Sequence, residues 1–316
     1  MINQVPDIFE YNPVFNGGTE RMGLMFHQKV MDVMSNISKY NCIIIPSCKS
    51  GLLEQYVNDD KKDMIVWVHN LPSQFGSDTM NIMKSHKFIK KVKFIIAVSE
   101  YHKKAIIEEL GIEEDKVYVI YNTFDSVESD KDKFDNIDKI KLLWTSGGER
   151  GLTILLNSIV EIGDKNITLD IFGNGVPGLF TPDNKVLNVD HPGITYHGRA
   201  HKREILKALR SSHIFAYPSI YKETFCISLV EAISANMLPI YPRLGAMGEV
   251  GLDIGMAYDY VDDYKEHQTI LTEKLSSAFD LIRSGKYNPG NQSDLMNQKY
   301  SLDNFINSWL KLDSLI

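Results

Sequence analysis

Glu223 and Glu231 lie eight positions apart in the segment Glu223-Thr-Phe-Cys-Ile-Ser-Leu-Val-Glu231, between a strand-like run and an apolar helix. The run His213-Ile-Phe-Ala-Tyr-Pro218 reads as a buried strand that Pro218 ends, and 227–237 reads as a short helix with Glu231 inside it. One carboxylate therefore sits on a loop and the other on a helix, with backbone N–H groups between them. A helix start presents unpaired donors and a partial positive charge, a seat for a diphosphate. Flanking carboxylates accept hydrogen bonds from the hydroxyls of a sugar and a ribose. The plain alternative is two surface acids near a helix start, where acids are common.

A second constellation, Trp144-Thr-Ser-Gly-Gly-Glu-Arg150-Gly-Leu152, follows a predicted strand and opens a helix. Arginine grips phosphate oxygens bidentately. Its charge is slightly unfavourable near a helix start, which favours a phosphate role over an idle surface position. Asn16-Gly-Gly-Thr-Glu-Arg21 puts Gly17 and Gly18 at another strand-to-helix turn, where backbone can approach a ligand closely; a Gly-Gly turn into a helix is equally ordinary. His69 closes the apolar run Met64-Ile-Val-Trp-Val68. A neutral imidazole there offers one hydrogen bond to a hydroxyl, although a lone histidine at a strand end is more often structural. Gly173-Asn-Gly-Val-Pro-Gly178 matches the G-x-G-x-x-G dinucleotide fingerprint, with Asp190 downstream. That fingerprint needs a helix directly after the loop, and Pro177 and Pro182 break one, so the match is read as accidental. No Asp-x-Asp run ends a strand and no Cys or His spacing suits zinc, so no metal is expected.

The elements that must position these residues alternate. In the first half, strands are expected at 5–11, 41–46, 64–69, 94–98 and 117–121, with helices at 19–37, 79–89 and 100–110. Ser99 opens the last of these helices and Gly111 stops it. Segment 125–138 carries six acidic residues and few apolar ones, and reads as a solvated linker. From Lys139 a second alternation places strands at 141–145, 167–172, 194–197, 214–217 and 238–241, and helices at 151–162, 202–210, 227–236 and 267–282. The pattern predicts an α/β chain of two doubly wound, Rossmann-like domains, 1–138 and 139–299, facing a cleft, with ligands at the carboxyl ends of the strands. Leu302, Phe305, Ile306, Trp309 and Leu310 have helical spacing and predict a C-terminal helix.

In this order and combination the motifs resemble retaining glycosyltransferases of GT-B architecture, in particular glycosyltransferase family 4, the glycosyl transferases group 1. The resemblance runs from Gly17 to about Gly251 and, less fully, through the C-terminal helix. It implies that Glu223 lies beside the transferred sugar, that Glu231 binds the ribose of the donor nucleotide, and that His69 contacts the donor sugar. Arg150, the Gly147-Gly148 backbone and the helix start near Ile227 and Ser228 would hold the diphosphate and stabilise its departure. The resemblance extends the donor contacts to Gly17, Gly18, Ser146, Gly173, Gly198, Phe225 and Cys226, and carries a helix at 300–316 back onto the first domain. Three positions depart from the family pattern. Asn122-Thr-Phe-Asp125 replaces the common Asn-Gly-Val-Asp, Ser146 stands where many relatives have a second basic residue, and Asn236 stands where many have glycine. The implied activity is metal-independent transfer from a UDP- or GDP-sugar to a hydroxyl of a glycan, glycoprotein or glycolipid. The donor is a co-substrate, no cofactor is implied, and the leaving phosphate itself takes the acceptor's proton. Two readings stay open beside it: a nucleotide-sugar epimerase of the same architecture, and a noncatalytic sugar-nucleotide binder.

Composition sets the outer bounds. A chain of 316 residues can bury two cores, and 43% hydrophobic with 24% charged residues is ordinary for a soluble globular protein. No apolar run approaches the ~20 residues that span a bilayer. Residues 1–10 lack the regions of a secretory signal, and Cys42, Cys48 and Cys226 form no CxxC pair, so a cytoplasmic setting is expected. A net charge of −7 argues against nucleic acid as a partner. Lys84, Lys87, Lys90, Lys91 and Lys93 cluster on a helix and loop. They form either a solvated face or the kind of basic patch with which enzymes of the resembled family rest peripherally on anionic membranes; the overall charge favours the solvated face.

Overall fold

The structure is a computed structural model that describes residues 18–30, 33–36, 39–45, 50–59, 62–173 and 191–316. The expected strand at 5–11, Gly17, Cys48 and the turn at 174–190 lie outside the described residues. The chain divides into two compact units, one of residues 1–123 with 300–316 and one of residues 124–299.

In the first unit the described strands β1 (Asn41–Ile45), β2 (Met64–Val68), β3 (Val92–Ala97) and β4 (Val117–Val119) form a parallel sheet in the order β1-β2-β3-β4. Every side chain of β2 is buried, as expected of a strand covered on both faces. The helices are α1 (Gly18–Lys29), α2 (Ser50–Asn58), α3 (Ser77–Lys84), α4 (His86–Lys91) and α5 (Glu100–Leu110). Ser99 caps α5 by accepting the His102 N–H at 3.0 Å, and Gly111 ends it at φ +66°. The single helix expected over 79–89 is two helices. Ser85 adopts an extended conformation between them, donates to the Ile82 carbonyl at 2.7 Å and accepts the Phe88 N–H at 3.2 Å. Serine here competes for the backbone bonds that would have continued the helix.

The C-terminal helix, numbered α12 (Leu302–Asp313), belongs to this first unit. Trp309 is fully buried, its ring 4.5 Å from that of Phe26 and 5.1 Å from that of Trp67. Asp313 accepts the Ser35 N–H at 3.0 Å and the Asn36 N–H at 2.9 Å, and Thr123 donates to the Tyr300 carbonyl at 2.9 Å. The buried stripe is Phe305, Trp309 and Leu312, whereas Leu302, Ile306 and Leu310 are only half-buried.

The second unit contains β5 (Ile140–Thr145), β6 (Ile167–Phe172), β7 (Ile194–Gly198), β8 (Ile214–Ala216), β9 (Leu238–Pro242) and β10 (Met256–Tyr258). All pair in parallel, in the order β10-β9-β8-β5-β6-β7. Its helices are α6 (Leu152–Ile162), α7 (Lys202–Ser211), α8 (Ile227–Ser234), α9 (Met247–Gly251), α10 (Tyr264–Arg283) and α11 (Gln292–Tyr300). The winding runs outward from β5 in one direction and from β8 in the other. The topological switch point, where such sheets bind ligands, is therefore at the carboxyl ends of β5 and β8.

Segment 125–138 is not a solvated linker. Phe124 and Val127 are buried, and Phe134 packs 4.9 Å from the Tyr287 ring. Lys133 is buried as well; it donates to the Ala235 carbonyl, and its own carbonyl accepts from His213 Nε2 at 2.7 Å. The acidic side chains face outward while these few residues carry the packing, which composition alone conceals.

Candidate functional site

Two loops leave the sheet at the switch point. Ser146 and Gly147 follow β5 and lead into a 3₁₀ turn, Gly148–Arg150, while Tyr217 and Pro218 follow β8 and lead to Glu223. Glu223 Oε1 accepts Arg150 Nη1–H at 2.8 Å and the Tyr217 hydroxyl at 2.8 Å. The Arg150 guanidinium lies 3.5 Å from the centre of the Tyr221 ring, a cation–π contact that orients the fork. Burial opposes charge on both partners. It raises the Glu223 pKa above the ordinary carboxylate range, against the pull of Arg150 and of the Tyr217 hydroxyl. For Arg150 burial acts against the charge, yet Glu223 and the neighbouring tyrosines outweigh it and the pKa is raised.

Tyr217 is held well above its ordinary pKa by burial and then by Glu223, so it keeps its proton and directs it to the carboxylate. That leaves Ser146 as the donor in the 3.1 Å contact between the two hydroxyls. The Ser146 carbonyl in turn accepts from the Trp144 indole at 2.8 Å. Gly173, at the end of β6, has φ +155°, and a Cβ there would run into the Ser146 carbonyl oxygen. Its N–H donates to the Gly198 carbonyl at 2.9 Å. The ends of β5, β6, β7 and β8 are thus tied into one surface.

Helix α8 is pinned to that surface, because Ser228 Oγ donates to the Thr145 carbonyl at 3.2 Å. Cys226 precedes it in the left-handed region (φ +69°), an uncommon conformation for a residue with a side chain. Burial, then Glu223, pushes the Cys226 thiol well above its usual range, which makes it a poor nucleophile; Glu231 acts in the same direction. Phe225 is buried beside it. Glu231 is 3% exposed in the second turn of α8 and ion-pairs with the Lys202 ammonium, itself 3.7 Å from Asp125 Oδ2. On the other side of the switch point, the Glu149 carboxylate lies against the Gly147 backbone and 3.5 Å from Arg150 Nε.

Ser146, Gly147, Gly148, Arg150, Gly173, Gly198, Glu223, Phe225, Cys226, Ile227, Ser228 and Glu231 therefore belong to one unit, around the carboxyl ends of its sheet. Gly18 and His69 belong to the other. Gly18 opens α1, and His69 follows β2 with its ring 4.6 Å from that of Trp67. Burial, and then the charge of His102, depress the His69 pKa to about 3, so its imidazole is neutral at physiological pH. Three contributors were missed in the sequence. Tyr217 reads as the last residue of a buried strand, and Tyr221 as a loop residue. Lys202 had a usable signal: a cation in the first turn of a helix works against the dipole, the argument that singled out Arg150.

Residues 141–261 match the family model described as Glycosyl transferases group 1. Over 160 residues, 49% of this chain and 33% of the relative, the sequence is 26% identical to one of the subunits of human phosphatidylinositol N-acetylglucosaminyltransferase. The match thus spans about a third of that relative's length. Among solved structures, Anabaena HepE in complex with UDP-glucose superposes with a TM-score of 0.66 at 15% identity, over 87% of this chain and 79% of that one. Sucrose-phosphate synthase from Thermosynechococcus elongatus gives 0.66 at 12% identity, over 84% and 71%. The human match and the family model share the description of sugar transfer, and the structures share the architecture. The fold of this chain is that of the GT-B glycosyltransferases.

Proposed function

We propose that the protein is a retaining, metal-independent glycosyltransferase that moves a sugar from a nucleoside diphosphate sugar to an acceptor hydroxyl in the cytoplasm. The observation that carries this reading is the Glu223–Arg150–Tyr217 cluster at the switch point, inside the segment that matches the family model. Arg150, the Gly147-Gly148 backbone and the first N–H groups of α8 hold the diphosphate and meet the charge that grows on it as the glycosidic bond breaks. Glu231 takes the ribose hydroxyls, sharing its carboxylate with Lys202. Glu223 orients the sugar, and the departing phosphate accepts the acceptor's proton. HepE was solved with UDP-glucose, which makes UDP the first nucleotide to try.

The test is a thermal-shift screen against UDP, GDP, ADP, CMP and NAD, on the native chain and on Glu231→Ala. A ligand at about 100 times its Kd stabilises by about 2.7 kcal/mol, a visible shift in melting. One nucleoside diphosphate is expected to shift the native protein and not the variant; a shift with NAD alone sinks the reading. Proton NMR of the first product reads the stereochemistry, with retained anomeric configuration expected. Activity is expected to survive a chelator, and loss restored by manganese would refute the metal-independent mechanism.

A further inference from the structure

Ligands in a sheet of this kind bind at the carboxyl ends of the strands, but the first unit has a cavity at the opposite ends. It has a volume of about 250 Å³ and is lined by Asp63, Lys90, Lys91, Lys93, Asp115 and Lys116, which precede or open β2, β3 and β4 or close α4. Four ammonium groups face two exposed carboxylates, leaving two net positive charges. Among the described residues none of these lysines is ion-paired with a carboxylate. Lys116 is anchored by a 2.9 Å hydrogen bond to the Ile89 carbonyl, and the Lys93 ammonium lies 5.4 Å from the centre of the Phe94 ring. Lys91 is different: its ammonium is buried and has no hydrogen-bond partner among the described residues. A buried ammonium without an acceptor is costly, and in native proteins such a group calls for a partner that completes it, an ion or a water. The carboxyl end of α4 favours nearby cations but supplies no acceptor to this one.

We propose that this cavity binds a phosphate dianion, free or as the terminal phosphate of a phosphomonoester, with the Lys91 ammonium as its central donor. Two net positive charges match a dianion, and lysine serves phosphate as a compact point charge. Lys90, Lys93 and Lys116 add charge around it, and the ring of Phe94 closes one wall. The site shares no residue with the donor site in the second unit, so it stands or falls independently of the transferase reading.

Isothermal titration of the full chain with inorganic phosphate at low ionic strength tests it, on the native protein, Lys91→Met and Arg150→Gln. Lys91→Met is expected to weaken binding by about tenfold or more, the worth of one charge-assisted hydrogen bond, while Arg150→Gln retains it. Undiminished binding to Lys91→Met, or loss confined to Arg150→Gln, overturns the proposal. Because the substitution removes a buried ammonium, Lys91→Met is expected to melt no lower than the native chain. In the Arg150→Gln background, an equal phosphate-induced melting shift with and without Lys91→Met also counts against the site. Vesicles of phosphatidic acid and of phosphatidylserine, matched in surface charge, separate the sources. Selective retention by phosphatidic acid, lost in Lys91→Met, names a lipid headgroup, and free-anion binding without that selectivity names a soluble phosphate. Equal retention by both lipids that Lys91→Met leaves intact overturns the site in favour of a merely basic face.

Discussion

Glu223 is fixed by groups with different tasks: Arg150 supplies charge, Tyr217 supplies one proton, and the Tyr221 ring holds the guanidinium 3.5 Å from its centre. Replacing the carboxylate by its amide keeps the shape and removes the charge. Glu223→Gln is therefore expected to lower the transfer rate by about 100-fold, the scale of losing one electrostatic partner in a preorganised site, with little change in nucleotide binding. Equal rates in variant and native protein would show that the cluster is only structural. Tyr217→Phe removes the bridge between Ser146 and Glu223. It is expected to cost about 1–3 kcal/mol of stability, as for a buried hydrogen bond to a charged acceptor, and to reduce kcat more than it raises KM; denaturant melts with steady-state kinetics check both. Arg150 was legible in the sequence because a cation at a helix start needs a reason to be there, and Glu223 because of its spacing from Glu231. Tyr217 was not, since its apolar body continues the run Ile214-Phe-Ala and nothing in one dimension shows where its hydroxyl points.

At the scale of elements, the switch point is held by close backbone packing. Gly245 follows β9 with φ +63°, a Cβ there would meet the Glu223 backbone, and the Ala246 N–H donates to the Glu223 carbonyl at 2.8 Å. Gly245→Ala is expected to cost at least about 1–2 kcal/mol from the left-handed conformation alone. Because the displaced atoms are those of the loop that carries Glu223, the variant is expected to lose activity even where it remains folded, measured as kcat at a temperature well below its melting point. In α12 the buried residue with most to lose is Trp309. Trp309→Ala is expected to destabilise the first unit by about 3–5 kcal/mol, read from denaturant unfolding, and a change under about 1 kcal/mol, the size of an ordinary surface substitution, would mean that the helix is an appendage. Element type was readable wherever period, cap and stop agreed, as in 100–110 and 167–172, which occur with those bounds. It failed where a short element lacks a period of its own. The three residues of β10 and the five of α9 are made by their neighbours, and Ser85 divides a stretch whose lysines and isoleucines read as one helix. Asn236 shows the reverse case: where the resembled family has glycine, the asparagine itself takes φ +57°, one of the few side chains that tolerates it.

Across the whole molecule, buried histidines give both units the same pH sensitivity. His102 accepts the Val98 N–H at Nδ1 and donates from Nε2 to the Asn70 carbonyl; His213 does the same between the Lys141 N–H and the Lys133 carbonyl. Each has spent its lone pair, so protonation breaks a bond as well as burying a charge. Burial depresses His102, His213 and His267 to about 4 and His69 to about 3. The folded protein thus binds fewer protons than the unfolded chain. Stability is full above the ordinary histidine pKa of about 6.5 and falls as pH drops toward 4. His102 alone is expected to contribute a loss of about 2 kcal/mol between pH 7.5 and 5.0. Urea midpoints at those two values check this, and identical midpoints would exclude it. The first unit is also discontinuous in sequence: Ser35 and Asp313, bonded in the folded state, are 278 positions apart. On a ribosome that emits residues in order, the second unit can finish folding while Phe26 and Trp67 still face water. The first unit then has to wait, with its aromatic surface open to chaperones, until Trp309 has been synthesised and released from the exit tunnel.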